Sequence, residues 1–217
     1  MAIKRPLVKI CGLRTAESLA VALEAGADMV GFVFFGPSPR NISLSEAAAL
    51  GRLVQGRAKI VALTVDADDA LIDAISRAVA PDILQLHGKE TPERAAALSA
   101  RTGKQIMKAV GVSETVDLAR TADFAAACDW LLLDAKPPKD ATRPGGNGQA
   151  FDWSILDGFA PAKPWLLSGG LTPANVAEAV ARTGAPGVDV SSGVESAPGV
   201  KDAAAIRAFV AAVRALS

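Results

Sequence analysis

Apolar residues gather in short, nearly continuous runs separated by longer mixed stretches. Eight runs recur in order: 7–11, 29–34, 60–65, 83–86, 105–110, 130–133, 165–167 and 188–190. They are rich in Val, Ile and Leu and show little alternation, which is how strands buried on both faces of a parallel sheet read. Each is followed by an Ala- and Leu-rich stretch of helical length. Start signals accompany several of these: Thr91 before Pro92, Thr172 before Pro173, and Ser43 three residues ahead of Glu46, the spacing of a capping box. Gly26, Gly103 and Gly184 stand where helices should stop. Run centres lie roughly 20–35 residues apart, within reach of a βαβ unit of about 30 residues. Eight such units predict an α/β fold, a closed (β/α)₈ TIM barrel, as a single domain over residues 1–217. The Pro- and Gly-rich stretch 137–148 reads as a long βα loop, because the alternation continues on both sides of it.

Composition narrows the function classes. The 23 basic and 23 acidic residues cancel, so no basic excess marks a nucleic-acid partner. Half the residues are hydrophobic and 21% are charged, which places the chain among globular domains rather than disordered ones. No apolar run approaches the roughly 18 residues a membrane span requires. The first residues lack the apolar core and small-residue cleavage site of a secretory signal. Two cysteines, Cys11 and Cys128, are too few for a disulfide framework and suit a reducing compartment. A soluble, cytoplasmic protein is expected.

A barrel builds its site on the loops that follow its strands. The polar residues ending the runs are Cys11, Arg40, Asp66, His87, Lys108, Asp134, Ser168-Gly169-Gly170, and Asp189 with Ser191-Ser192-Gly193. Glycine loops after the seventh and eighth strands point to phosphate. They let backbone N–H groups approach an anion, and many barrels hold a substrate phosphate there. Cys11 ends the first strand, where a thiol becomes a base if positive charge or hydrogen bonds favour its thiolate; the alternative is a small buried hydrophobe, the reading given to Cys128. Asp134 closes an apolar strand, and partial desolvation suits its carboxyl to general acid work. Its alternative is a loop cap or a partner for Lys136. Arg40 follows Gly36-Pro37-Ser38-Pro39, a stiff turn that would aim a guanidinium at a carboxylate or phosphate. His87 is the single histidine, expected to be structural or accessory. No zinc spacing, dinucleotide fingerprint, P-loop or nucleophile elbow is present, so no metal and no cofactor are expected.

The ordered set Lys9-Ile10-Cys11-Gly12-Leu13, Gly31-Phe32-Val33-Phe34, Ser38-Pro39-Arg40, Gln85-Leu86-His87-Gly88, Leu133-Asp134-Ala135-Lys136, Gly145-Gly146-Asn147-Gly148 before Phe151-Asp152-Trp153, Ser168-Gly169-Gly170-Leu171 and Gly187 through Glu195 resembles the phosphoribosylanthranilate isomerases of tryptophan biosynthesis. The matches run from residue 9 to residue 195. The resemblance implies an Amadori rearrangement of N-(5-phospho-β-D-ribosyl)anthranilate to 1-(2-carboxyphenylamino)-1-deoxy-D-ribulose 5-phosphate. It implies Asp134 as general acid and Cys11 as general base. Arg40 would meet the anthranilate carboxylate, and Gly169, Gly170, Ser191, Ser192 and Gly193 the phosphate. Gly145 to Gly148, with Gly146 and Gly148 as substrate contacts, would form a flap, and His87 and Asp189 would be accessory. The expected partner is a small phosphosugar, bound by a monomer or homodimer. Indole-glycerol-phosphate synthase and the histidine-pathway isomerase share the phosphate loops, but their implied lysine, glutamates or aspartate pair do not match Cys11. A non-catalytic phosphosugar-binding barrel is the alternative of another class.

Overall fold

The computed structural model describes residues 5–137, 145–146 and 151–216. Its strands are β1 (Leu7–Cys11), β2 (Met29–Phe34), β3 (Lys59–Thr64), β4 (Ile83–Leu86), β5 (Gln105–Val112), β6 (Trp130–Ala135), β7 (Trp165–Leu167) and β8 (Gly187–Val190). All eight pair in parallel and in sequence order, and β8 returns to β1 to close the barrel. Each coincides with one of the apolar runs. Two short antiparallel strands, β9 (Glu195–Ala197) and β10 (Val200–Lys201), follow β8 as a hairpin.

The helices are α1 (Ala16–Ala25), α2 (Leu44–Val54), α3 (Asp69–Ala78), α4 (Pro92–Thr102), α5 (Arg120–Asp123), α6 (Val176–Thr183) and α7 (Ala203–Arg214). Local chemistry sets their ends. Ser43 and Glu46 form the reciprocal capping box of α2, and Thr91 caps α4 with Pro92 in its first turn. Gly26, Gly103 and Gly184 end α1, α4 and α6 in the left-handed conformation, which glycine adopts without a Cβ penalty.

The pattern of one helix per strand fails in two places. After β5 the chain makes a 3₁₀ turn, Thr115–Ala119, and then only the four residues of α5. The buried Asp117 carboxylate accepts the backbone N–H groups of Ser113 and Glu114 and fixes that turn. After β6 the described residues carry only a 3₁₀ turn, Trp153–Leu156, followed by Gly158 at positive φ and by Pro161 and Pro164, which do not continue a helix. The start expected at Thr172-Pro173 is also corrected: α6 begins at Val176. The Asn175 side chain closes the preceding turn instead, accepting from Thr172 N–H and donating to Gly170 O.

Two apolar layers hold the barrel. The larger lies between strands and helices and includes Val8, Ile10, Phe32, Leu84, Leu131, Leu133 and Phe209. The second, inside the barrel, comprises Met29, Val61, Ile83, Met107, Ala109, Leu132 and Leu166. Above it, toward the strand C-termini, Cys11, Val33 and Leu63 form a small cluster of their own. Interior positions alternate with exterior ones along each strand, so Cys11 shares its face with Lys9 and Asp134 with Leu132.

Candidate active site

A cavity with ≈ 780 Å³ of empty space, open solvent included, lies at the C-terminal mouth of the barrel. Its lining includes Cys11, Arg40, His87, Asp134, Gly146, Gly169, Gly170, Asp189, Ser191, Ser192 and Gly193. The residues given a site role from sequence therefore converge there except Gly148, which lies outside the described residues; of the other run-ending residues, Lys108 pairs with Glu90 and Asp66 accepts from Lys89 N–H, and neither lines the cavity.

Cys11 ends β1 with its side chain in the barrel. Space for the thiol depends on β2: a Cβ at Gly31 would stand 3.0 Å from Cys11 Sγ. Burial pushes the thiol above its ordinary pKa, and Asp189 adds to this; Lys9 and Lys201 oppose it without prevailing. The positive charge expected to favour the thiolate is thus present but outweighed. Cys128 is buried away from the cavity and pushed up to about 11 by desolvation.

Asp134 projects from the end of β6. Its Oδ2 lies 3.3 Å from His87 Nε2, and its Oδ1 accepts from Ala135 N–H at 3.0 Å. Lys136 is not its partner, because that ammonium pairs with Asp117. His87 Nδ1 stands 3.3 Å from Gln85 Nε2, so the imidazole bridges Gln85 and Asp134. A Cβ on Gly145 would come within 2.7 Å of both Asp134 Oδ2 and His87 Cε1; the backbone there covers the acid closely.

Arg40 is nearly enclosed. Nε and Nη2 grip both oxygens of Glu195 at 2.7 and 2.8 Å. The preceding turn holds its base, with Arg40 N–H donating to Ser38 Oγ. Its stem lies over Gly12, where a Cβ would stand 2.7 Å from Arg40 Cδ. Nη1 lies on the Gly146 side, 2.5 Å from where a Cβ of that glycine would be.

Elsewhere in the cavity lining, Gly169 and Gly170 have φ of 89° and 61°. A Cβ at Gly169 would stand 2.7 Å from Ala135 N. Ser192–Val194 forms a single 3₁₀ turn after β8. Gly193 packs so tightly on the preceding loop that a Cβ would collide with the Leu171 carbonyl oxygen. Glycine there joins the two loops as well as baring its own N–H.

A model of the N-(5′-phosphoribosyl)anthranilate isomerase family matches residues 8–212. The chain belongs to this family. The isomerase of Nitrobacter hamburgensis is 59% identical over 209 residues, covering 96% of this chain and 93% of that protein. Among solved structures, the isomerase of Thermotoga maritima aligns with a TM-score of 0.86 at 36% identity, over 97% of this chain and 99% of the other. A solved complex of an isomerase with reduced 1-(o-carboxyphenylamino)-1-deoxyribulose 5-phosphate aligns at TM-score 0.82 and 33% identity, covering 97% and 99%. Monomers made from the dimeric Thermotoga maritima isomerase also align, at TM-score 0.81 and 34% identity over 97% and 99%. Among the described residues no helix is long and apolar enough to cross a membrane, and no group of His, Cys, Asp and Glu is placed to hold a metal ion.

Within this isomerase site three charged residues were not singled out by the sequence. Glu195 orients Arg40 from 155 residues away. Lys201, on β10, bonds Glu195 Oε1 and Ser191 O at 2.7 and 2.8 Å. Lys9 pairs with Asp189 at 2.7 Å inside the barrel. Burial pulls the Lys201 pKa below the ordinary lysine value despite Glu195. Glu195 stands below the carboxylate range because Arg40 and Lys201 outweigh the effect of its burial. Only Lys9 left a signal in the sequence: a charge in an apolar run, two residues from Cys11 and so on the same face.

Proposed function

We propose that this chain catalyses the Amadori rearrangement of N-(5-phospho-β-D-ribosyl)anthranilate in tryptophan biosynthesis, with Asp134 as general acid and Cys11 as general base. The observation that carries the assignment is that both residues line one cavity, whose rim also holds Arg40 and the two glycine loops. Asp134 protonates the ribose ring oxygen; the C1′–O bond breaks, and the nitrogen lone pair completes an iminium. The cation acidifies the neighbouring C–H. Cys11, in the thiolate form that its burial disfavours, takes the C2′ proton, and the freed electron pair neutralises the iminium as an enolamine. Tautomerisation then gives the aminoketone. Asp134 ends one proton poorer and Cys11 one proton richer; the tautomerisation is proton-neutral, and the cycle closes when Cys11 gives its proton to solvent and Asp134 takes one up.

Recognition divides between the two ends of the substrate. Arg40 meets the anthranilate carboxylate. Backbone N–H groups of Gly169, Gly170, Ser192 and Gly193, with Ser191, take the phosphate. His87 holds the Asp134 carboxyl in place from its Nε2. Enclosure of the iminium protects it from hydrolysis, the task we give to the segment containing Gly145 and Gly146. The enzyme works in the cytoplasm on a small phosphosugar, as a monomer or homodimer. Turnover of N-(5-phosphoribosyl)anthranilate in a coupled assay tests this reading; its absence under conditions where the protein is folded contradicts it.

A further inference from the structure

Lys9 is the most enclosed charge in the barrel. Its side chain is 0% exposed, and on β1 it occupies the interior position directly before Cys11. Nζ donates to Asp189 Oδ1 at 2.7 Å, and the other carboxylate oxygen of Asp189 accepts from Ser168 Oγ at 3.2 Å. β1 and β8 are in register at this point, with Lys9 opposite Asp189. The pair is thus locked between two adjacent strands, with Ser168 of the β7 loop as the third member. No solvent screens it, so its charges act on a neighbouring group far more strongly than surface charges do.

That neighbour is Cys11. Lys9 and Cys11 stand two residues apart on the same interior face of β1, so the ammonium is buried beside the thiol. The remaining elements around Cys11 supply apolar groups, Gly31 and Val33 from β2 and Leu63 from β3. The exception is Lys201 on β10, whose Nζ reaches Ser191 O and Oγ while Ser191 Oγ donates to Cys11 O at 3.1 Å. Lys201 in turn carries Glu195, and Glu195 carries Arg40, so its charge is shared. The charges gathered at this end of β1 are therefore Lys9⁺, Asp189⁻ and Lys201⁺.

We propose that Lys9 and Asp189 are positioning residues that set the ionisation of the Cys11 thiol with opposite sign: Lys9 draws the proton off, and Asp189 restrains Lys9 and holds the proton on. The inference rests on the reading of Cys11 as base, but it concerns a property of the thiol that exists without substrate.

The chain contains no tyrosine and two cysteines. In a Cys128→Ala background the thiolate ultraviolet absorbance therefore reports Cys11 without interference from phenolate. Lys9→Met should raise the titration midpoint of Cys11 by at least about one pH unit, and Asp189→Asn should lower it by a similar amount, the scale of one buried charge. The double variant Lys9→Met/Asp189→Asn should fall between Lys9→Met and the parent, above the parent because the charge on the thiol's own strand is the one that favours thiolate. It also replaces Lys9→Met if an unpaired buried Asp189 prevents that variant from folding. The pH dependence of kcat/KM should move in step with the thiol midpoint. A structural role alone would leave the midpoints unmoved or shift them in one direction, and either result overturns the proposal. Retained turnover in Cys11→Ser would instead remove Cys11 as base while leaving the order of midpoints standing.

Discussion

Arg40 and Glu195 lie face to face in a bidentate pair, Nε to Oε1 at 2.7 Å and Nη2 to Oε2 at 2.8 Å. A guanidinium held along that edge cannot swing, so only its Nη1 side is turned toward the cavity at Gly146. Arg40→Ala should weaken binding of a product analogue that bears the carboxylate by about 2–5 kcal/mol and leave inorganic phosphate binding nearly unchanged. Glu195→Gln should cost less but in the same direction, because it loosens the aim and keeps the charge. Calorimetry with analogues having and lacking the carboxylate checks this. Equal losses for both analogues would exclude Arg40 as the carboxylate contact.

Gly193 bears on both phosphate binding and loop packing. A methyl there meets the Leu171 carbonyl before it meets any anion, so the damage reaches the phosphate through displacement of the two loops. Gly193→Ala should lower phosphate affinity at least about tenfold, together with a lower Tm, since backbone that close cannot yield cheaply. Unchanged melting with lost affinity would point to direct occlusion instead.

The turn after β5 carries its own pH dependence. Burial raises the Asp117 pKa, but hydrogen bonds from Lys136, Ser113 N–H and Glu114 N–H outweigh it and bring the carboxyl down to about 2. A depressed folded-state value stabilises the protein above the ordinary aspartate pKa, and the contribution disappears as pH falls from about 4 toward about 2. At neutral pH Asp117→Asn should lose roughly 2 kcal/mol. Urea unfolding at a series of pH values should show the gap to wild type closing on acidification. A gap that persists at the acid end would assign the loss to packing.

Since the proposed exchange uses one acid and one base, turnover should survive exhaustive dialysis against a strong chelator without added nucleotide. Loss of activity restored by a divalent cation would require a different mechanism.

The barrel was legible because its strands announce themselves locally. Each run, such as Ile83 to Leu86, is buried on both faces, and period and length suffice to find it. The mouth residues followed from the rule that sites sit at strand C-termini, which located Cys11 and Asp134 without any partner being known. Pairings over long sequence distances were not legible. Arg40 with Glu195 and Lys9 with Asp189 are 155 and 180 residues apart, and their identity depends on β8 returning beside β1. Asn175 and Asp117 deceived for a related reason: each spends its side chain closing a turn where the pattern of cap and proline, or of apolar residues, predicts a full helix. Gly193 looked like an anion contact alone because the carbonyl it packs against belongs to another loop.

The division of labour between Cys11 and Asp134 is tested most directly by the turnover of Cys11→Ser and Asp134→Asn, measured alongside their affinity for inorganic phosphate. Both variants should lose at least about a hundredfold in kcat, the usual scale for an acid or base, while binding phosphate as wild type does. Near-normal turnover in either variant would contradict the assignment of that residue and the two-residue mechanism with it.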